Sequence, residues 1–297
     1  MDEANFTRCV VAFLDILGFK DFIEAAEHSG SHEFRQFCAL QEAIRSQLHY
    51  TQTGSDDREQ HLFPAQVGLQ VLHISDSFIL SAPVRTEECP GYSAMVAVAI
   101  KSIQLAHQLL KMGFLVRGGL AVGNLHRTES NVFGTGYQTA YETEKCAATP
   151  RVLFHQSAVE HFKTDCHLGI PIWGFFIFAQ DGVDVMLDTL AVHWSYVGAE
   201  SGADVAPTFR SHKERIEQRL SRLPSGRARE KWEWMAKYFN AKQKNSSELA
   251  SFGPIQRDEY SLFRFGPLIT HSDSTLKEAR ESFNAPDSRH GHSPYDD

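Results

Sequence analysis

Cys9-Val10-Val11-Ala12-Phe13-Leu14 runs apolar without alternation and breaks at Asp15. That is the pattern of a strand covered on both faces, so the chain opens on a central strand with a carboxylate at its end. Ile16-Leu17-Gly18-Phe19 then leads into a short helix near Lys20 to Glu27. A second helix follows from about Ser31 to Leu48, where Phe34, Phe37, Leu40, Ile44 and Leu48 recur at spacings of three and four. The Thr-, Gly-, Ser- and Asp-rich segment Thr51 to Gln60 reads as a loop. Val67 to Ile74 and Phe78 to Ala82 are β-prone and are divided by Ser75-Asp76-Ser77, a hairpin with Asp76 at its tip. Residues 91 to 112 carry Met95, Ala99, Ile103, Ala106 and Leu110 on one stripe and stop at Gly113, a helix with a glycine terminator. Phe114 to Val122 is a strand and residues 124 to 134 a further hairpin arm. A helix from Tyr137 to Ala147, a strand at Arg151 to Phe154 and a helix at Gln156 to Phe162 come next. Trp173 to Phe178 and Val183 to Leu187 make a closing antiparallel pair. The resulting order is β-α-α-β-β-α-β-β-α-β-α-β-β.

Past residue 208 the sequence becomes charged and helix-forming: Phe209 to Leu220, then Arg227 to Lys242 with Trp232, Met235, Tyr238 and Phe239 on one side. The organisation read from this is a domain over 1–195, a helical appendage over 196–282 and a disordered tail over 283–297. The 297 residues, 42% of them apolar, suffice for a substantial core. A formal net charge of -8 argues against nucleic acid as a partner, because there is no global basic surface to displace counterions. The longest apolar run, Ile170 to Ala179, is far short of the roughly 20 residues of a membrane-spanning helix. Met1-Asp2-Glu3 begins no basic-then-apolar leader, so no membrane partner and a cytoplasmic location are expected. Cys9, Cys38, Cys89, Cys146 and Cys166 form no paired motif and read as reduced thiols. His155, His161 and His167 recur every six residues, which puts no two on one helical face, and His290 and His292 sit in the tail.

Asp15 and Asp76 fall at strand ends that this topology brings together. An oxygen-only pair suits Mg²⁺ or Mn²⁺, which keep water and take substrate phosphates for the rest of their shell. Spacing alone leaves open that Asp76 is only a turn residue and Asp15 a strand terminator. The glycine-containing turn after Asp15 offers free backbone N–H groups, an anion cradle beside the carboxylates.

Phe13-Leu14-Asp15-Ile16-Leu17-Gly18-Phe19 resembles the first metal-binding strand and turn of class III nucleotidyl cyclases, and Ile74-Ser75-Asp76-Ser77 resembles the hairpin with their second metal aspartate. Arg117-Gly118-Gly119-Leu120-Ala121-Val122-Gly123 resembles the family's Arg-x-Gly-x-x-x-Gly strand, and Phe133-Gly134 through Ala140 to Glu144 its helix motif. The likeness spans about residues 8 to 190. It implies an α+β fold with a ferredoxin-like βααββαβ core, a mostly antiparallel sheet and helices on one face, with the C-terminal helices appended.

The departures narrow the resemblance. Gln138 stands where purine cyclases keep an asparagine, Glu142 where they keep the arginine at the transferring phosphate, and Leu72 and Asn131 where they keep the purine-reading lysine and aspartate. With both metal aspartates retained and the purine readers missing, the chain looks like the pyrimidine cyclases of the bacterial Pycsar antiphage system. That resemblance implies conversion of UTP, or CTP, to a 3′,5′-cyclic monophosphate and diphosphate, and a separate effector activated by the product. It also implies two Mn²⁺ or Mg²⁺ ions on Asp15, Asp76 and the Ile16 carbonyl, with phosphates on the amides of Leu17, Gly18 and Phe19. A homodimer would place the active sites between subunits. Arg117, then Arg151, are candidates for the missing cation, each with an ordinary structural role as the competing reading. Tyr50, Asn131, Tyr137 and Gln138 are candidates to hold the base. A nucleotide-binding sensor without turnover is the alternative on the same fold. A diguanylate cyclase is disfavoured, because the hairpin reads Ser75-Asp76-Ser77 rather than Gly-Gly-acidic-acidic-Phe.

Overall fold

The structure, a computed structural model, describes residues 5–28, 30–53, 67–87, 93–128, 130–165, 176–179, 184–192, 204–244, 246, 249, 251–252, 254–255 and 263–265. Cys89, Cys166, His167, the boundary at 195/196 and the tail lie outside these residues. Side chains are not described throughout every element; those of residues 46–53, for example, are not.

The apolar run becomes strand β1 (Thr7–Leu17), followed by α1 (Phe19–Ala26), α2 (His32–Thr53) and the hairpin β2 (Gln70–Ile74) and β3 (Ser77–Pro83). Helix α3 (Ala94–Lys111) leads to β4 (Leu115–Arg127), the two-residue β5 (Val132–Phe133), α4 (Thr135–Lys145), β6 (Val152–Phe154) and α5 (Gln156–Asp165). Strands β7 (Phe176–Ala179) and β8 (Val185–Leu187), helices α6 (Ala206–Arg222) and α7 (Arg227–Lys244), and β9 (Phe263–Phe265) complete the order. Among the described residues nine strands form one sheet, β2-β3-β1-β4-β6-β8-β7-β9, with β5 on β4. Among the described residues only β4 and β6 pair in parallel, joined by the α4 crossover that such a pair requires. The fold is therefore α+β with a mostly antiparallel sheet.

Strand β1 is central because both its faces are covered. Val10, Ala12, Leu14 and Ile16 pack with α3, α5 and the apolar residues of α2. Cys9, Val11 and Phe13 point the other way, onto Ala140 and Tyr137 of α4. The expected placement of helices on one face is thus incomplete. On that second face α4 covers β1 and β4, and α6 and α7 cover the far side through Phe209, Ile216, Met235, Tyr238 and Phe239, packed on Leu115, Leu153 and Met186. The C-terminal helices share a core with the sheet.

Two other expectations shift. Helix α2 continues to Thr53 where a loop was expected to begin at Thr51. Helix α3, capped by Ser93 through the amide of Val96 at 3.4 Å, is buried beyond its apolar stripe. Lys101, Ser102, Gln104 and His107 are all buried, and α6 packs against the His107 side of the helix through His212.

Candidate functional site

Asp15 continues the Val11–Phe13 alternation and so faces the α4 side of the sheet, opposite Ser77 of β3 and Arg117 of β4. Burial falls off here, and the Asp15 side chain is 17% exposed at the end of an otherwise closed strand. The β2–β3 turn brings in the second carboxylate. Ser75 adopts φ 59, which tightens the turn, and the amide of Ile16 donates to the Asp76 carbonyl at 2.9 Å. The hairpin tip is thereby tied to the residue next to Asp15. Burial pushes the Asp15 carboxyl above its ordinary range; Arg117 opposes that shift, and the charge and hydrogen bonding of Asp76 reinforce it. The two carboxylates face each other.

Arg117 Nε donates to Asp15 Oδ2 at 3.2 Å and also pairs with Glu144 of α4. Glu144 is 2% exposed, and burial raises its carboxyl against the pull of Arg117, with Asp15 adding repulsion. The glycines of Arg117-Gly118-Gly119 and Gly123 explain the approach of α4. A Cβ at Gly119 would collide with the Ala140 carbonyl and the Glu144 amide, and one at Gly123 with the Gly136 backbone. Bare backbone on β4 is what lets Glu144 reach the guanidinium.

Asp15 and Glu144 thus share the Arg117 guanidinium while Asp76 adds a third carboxylate beside Asp15, and the deficit of positive charge is of the kind a divalent cation fills. The fit is good in donor chemistry, all oxygen, and incomplete in number. Among the described residues no group of three or more His, Cys, Asp or Glu side chains is spaced to enclose a metal. An ion on Asp15 and Asp76 would keep most of its shell for water and substrate oxygen. The Ile16 side chain is buried in the core, so its carbonyl is what it can add.

Beyond β1 the backbone turns at Gly18, which has φ 76, a region that favours glycine, and nothing lies within 4 Å of where a Cβ would stand. No side chain caps the N-terminus of α1. Leu17 packs toward α6 and α7 and Phe19 toward the α3 core, so this turn presents main chain outward.

The other predicted residues scatter. Arg151 immediately precedes β6, its carbonyl accepting from the Gly118 amide at 3.0 Å, but its side chain is paired through Nη1 to Asp184 Oδ2 at 3.1 Å. Tyr137 stacks on Tyr141 and meets Phe13 edge-on, a packing role on α4. Gln138 is exposed on the same helix. Asn131 sits in the β4–β5 turn, its amide donating to Thr128 Oγ1 at 3.1 Å. Ten residues of β4 separate Arg117 from Arg127 before that turn, on the order of 30 Å of strand. Asn131 is therefore not brought to Asp15 within one chain. Leu72 packs beneath the α4 face, and Glu142 is exposed, its charge felt by His155. Tyr50 falls in the part of α2 whose side chains lie outside the description. Glu144 is the residue sequence reasoning passed over; its signal was a carboxylate one turn past Ala140 on the buried stripe of a helix.

No protein-family model matches the chain, and no curated protein sequence is detectably similar to it. Solved structures resemble it in outline. The monomeric guanylyl cyclase domain of the RhoGC fusion protein from the aquatic fungus Blastocladiella emersonii is 13% identical, covering 62% of this chain and 95% of that one, with a TM-score of 0.37. A class III adenylyl cyclase-like ATP-binding protein from Pseudomonas aeruginosa is 15% identical over 52% of this chain and 35% of that one, TM-score 0.29. A bacterial light-regulated adenylyl cyclase is 11% identical over 72% and 58%, TM-score 0.31.

Proposed function

We propose that this chain is a nucleotidyl cyclase acting on a pyrimidine triphosphate, UTP first and CTP as the alternative, and releasing the 3′,5′-cyclic monophosphate and diphosphate. The observation that carries it is the convergence of Asp15 and Asp76 at an open strand end, one residue from the Leu17-Gly18-Phe19 turn. Cyclisation joins the ribose 3′-oxygen to the α-phosphorus and breaks the bond to the β-phosphate oxygen. It needs alignment and charge neutralisation more than covalent help. Two Mn²⁺ or Mg²⁺ ions held by Asp15, Asp76 and the Ile16 carbonyl would lower the hydroxyl's pKa and screen the triphosphate. The protein's own part is to hold Asp15 and Asp76 side by side at the open strand end, and to present the amides of Leu17, Gly18 and Phe19 to the terminal phosphates.

The preference for a pyrimidine rests on the motif resemblance and on Leu72 and Asn131 at the purine-reading positions. A homodimer is part of the reading. Asn131 lies too far along β4 to serve the Asp15 of its own chain, and Ile74 and Tyr141 expose apolar surface beside the α4 face. The same resemblance supports an antiphage role through an effector that responds to the product. Among the described residues no helix is long and apolar enough to cross a membrane.

A second reading, a nucleotide sensor that does not turn over, is favoured by the commitment of Arg117 to Asp15 and Glu144 and of Arg151 to Asp184, which leaves neither guanidinium free for the α-phosphate. Incubation of the purified protein with each of the four ribonucleoside triphosphates and Mn²⁺, with products separated by chromatography, decides between them. Cyclic UMP or cyclic CMP, lost in Asp76→Ala, is the expected result; nucleotide binding with no cyclic product from any triphosphate selects the sensor.

A further inference from the structure

A cleft of about 870 Å³ opens where α1 and the start of α2 meet the α3–β4 turn and the two C-terminal helices. Its charge runs against that of the chain. Arg35, Lys111, Arg215, Arg219, Arg222 and Lys231 line it, against the carboxylates of Asp21 and Glu33 alone, in a protein whose formal net charge is -8. None of those six cations has a carboxylate partner among the described residues. Arg219 donates to the Gly113 carbonyl at 2.9 Å and lies over the Trp232 ring at 5.8 Å. Arg215 donates to the Lys111 carbonyl at 3.1 Å and to Gln218 Oε1 at 2.6 Å. These bonds orient the side chains and neutralise nothing.

We infer that this cleft is a binding site for a di- or triphosphate group. Lys111, Arg215, Arg219 and Lys231 are half-buried and Arg35 and Arg222 exposed; half-buried cations crowded together are costly unless an anion compensates them, and planar guanidinium forks match phosphate oxygens two at a time. Burial, with Arg215 and Arg222 close by, holds the Arg219 guanidinium below its usual range, and burial alone does the same to the Lys111 ammonium. The cleft is wide enough for a nucleotide-sized ligand, and Trp232, Phe22 and Phe114 give it apolar walls. The Leu17–Gly18 turn forms part of its wall, while the cations come mainly from α6, with Lys111, Lys231 and Arg35 from α3, α7 and α2, so the site extends the phosphate-binding surface of the proposed function and rests in part on that reading.

The test is calorimetric titration of the full chain with inorganic triphosphate in EDTA, so that no metal site contributes. Saturable binding is expected, weakened at least tenfold in Arg219→Gln and in the double variant Arg222→Glu with Lys231→Glu, weakened by salt, and retained in Asp76→Asn. Among the described residues neither Arg222 nor Lys231 holds another group by a side-chain hydrogen bond or ion pair, so the double variant should melt like the parent. Absence of saturable binding, or affinity unchanged in both charge variants, overturns the site. Repeating the titration with UTP present identifies the source of the phosphate: displacement means the cleft takes a nucleotide's own tail, and simultaneous binding means it takes a separate phosphorylated molecule. Either result upholds a polyphosphate site.

Discussion

Asp15 and Asp188 are both carboxylates at the ends of strands, and their surroundings differ in kind. Asp188, at the end of β8, is 1% exposed and fully answered: Lys242 of α7 pairs with Oδ2, and Tyr238 donates to Oδ1 at 2.6 Å, with the Leu190 amide at 3.2 Å. Asp15 faces a second carboxylate and shares its single arginine with a third. One acid is buried to join the C-terminal helices to the sheet. The other is held short of positive charge at a place open to solvent, which is the arrangement a binding site needs and a structural core avoids.

The contrast can be broken by exchange of roles. Asp76→Ala should lower cyclic nucleotide formation by roughly 10³-fold or more, since removing a charge-stabilising group at a reacting centre costs on that order, and should leave the melting temperature nearly unchanged. Asp15→Ala should lose activity similarly. Asp188→Ala should do the reverse. Leaving Lys242 buried without its acid costs about 3–5 kcal/mol, read as a fall in denaturation midpoint, while nucleotide binding to the folded fraction persists.

Acid sharpens the comparison from the other side. His107 Nδ1 lies 2.8 Å from His212 Nε2 between α3 and α6, and burial holds His107 down to about 3 and His212 well below its ordinary value. The unfolded chain protonates these rings near pH 6.5 and the folded one does not, so their contribution is whole above that pH and lost as pH falls below it. Stability should decline by about 1.4 kcal/mol per pH unit for each imidazole kept neutral. His212→Gln should flatten that slope in chemical denaturation followed between pH 6.5 and pH 4.5.

The smallest effect belongs to the acidic pair itself. In metal-free protein Asp76→Asn removes a repulsion and should raise the melting temperature by about 1–3 °C, a gain of roughly half to one kcal/mol. Mn²⁺ should then stabilise the parent and not the variant.

Much of this arrangement was readable from residues. An apolar run ending in Asp15 and a turn ending in Asp76 fix a central strand and a hairpin tip, because strand periodicity and turn chemistry are local. What escaped depends on partners distant in sequence. His107 stood off the apolar stripe of its helix, and α6, some hundred residues later, meets it through His212. Phe263–Phe265 is too short to announce a strand and becomes one by pairing with β7. Glu144 was visible as a helical residue, but its meeting with Arg117 needs α4 to cross β4 on two bare glycines. The C-terminal arginines read as solvated helix surface until α1 and the α3–β4 turn close over them.

Binding of Mn²⁺ followed by electron paramagnetic resonance, in the presence of an unreactive UTP analogue, tests the central claim most directly. The parent should take up Mn²⁺ and quench the free-ion signal, and Asp15→Asn and Asp76→Asn should each lose that uptake while remaining folded. Equal Mn²⁺ uptake in the parent and both variants would contradict the account.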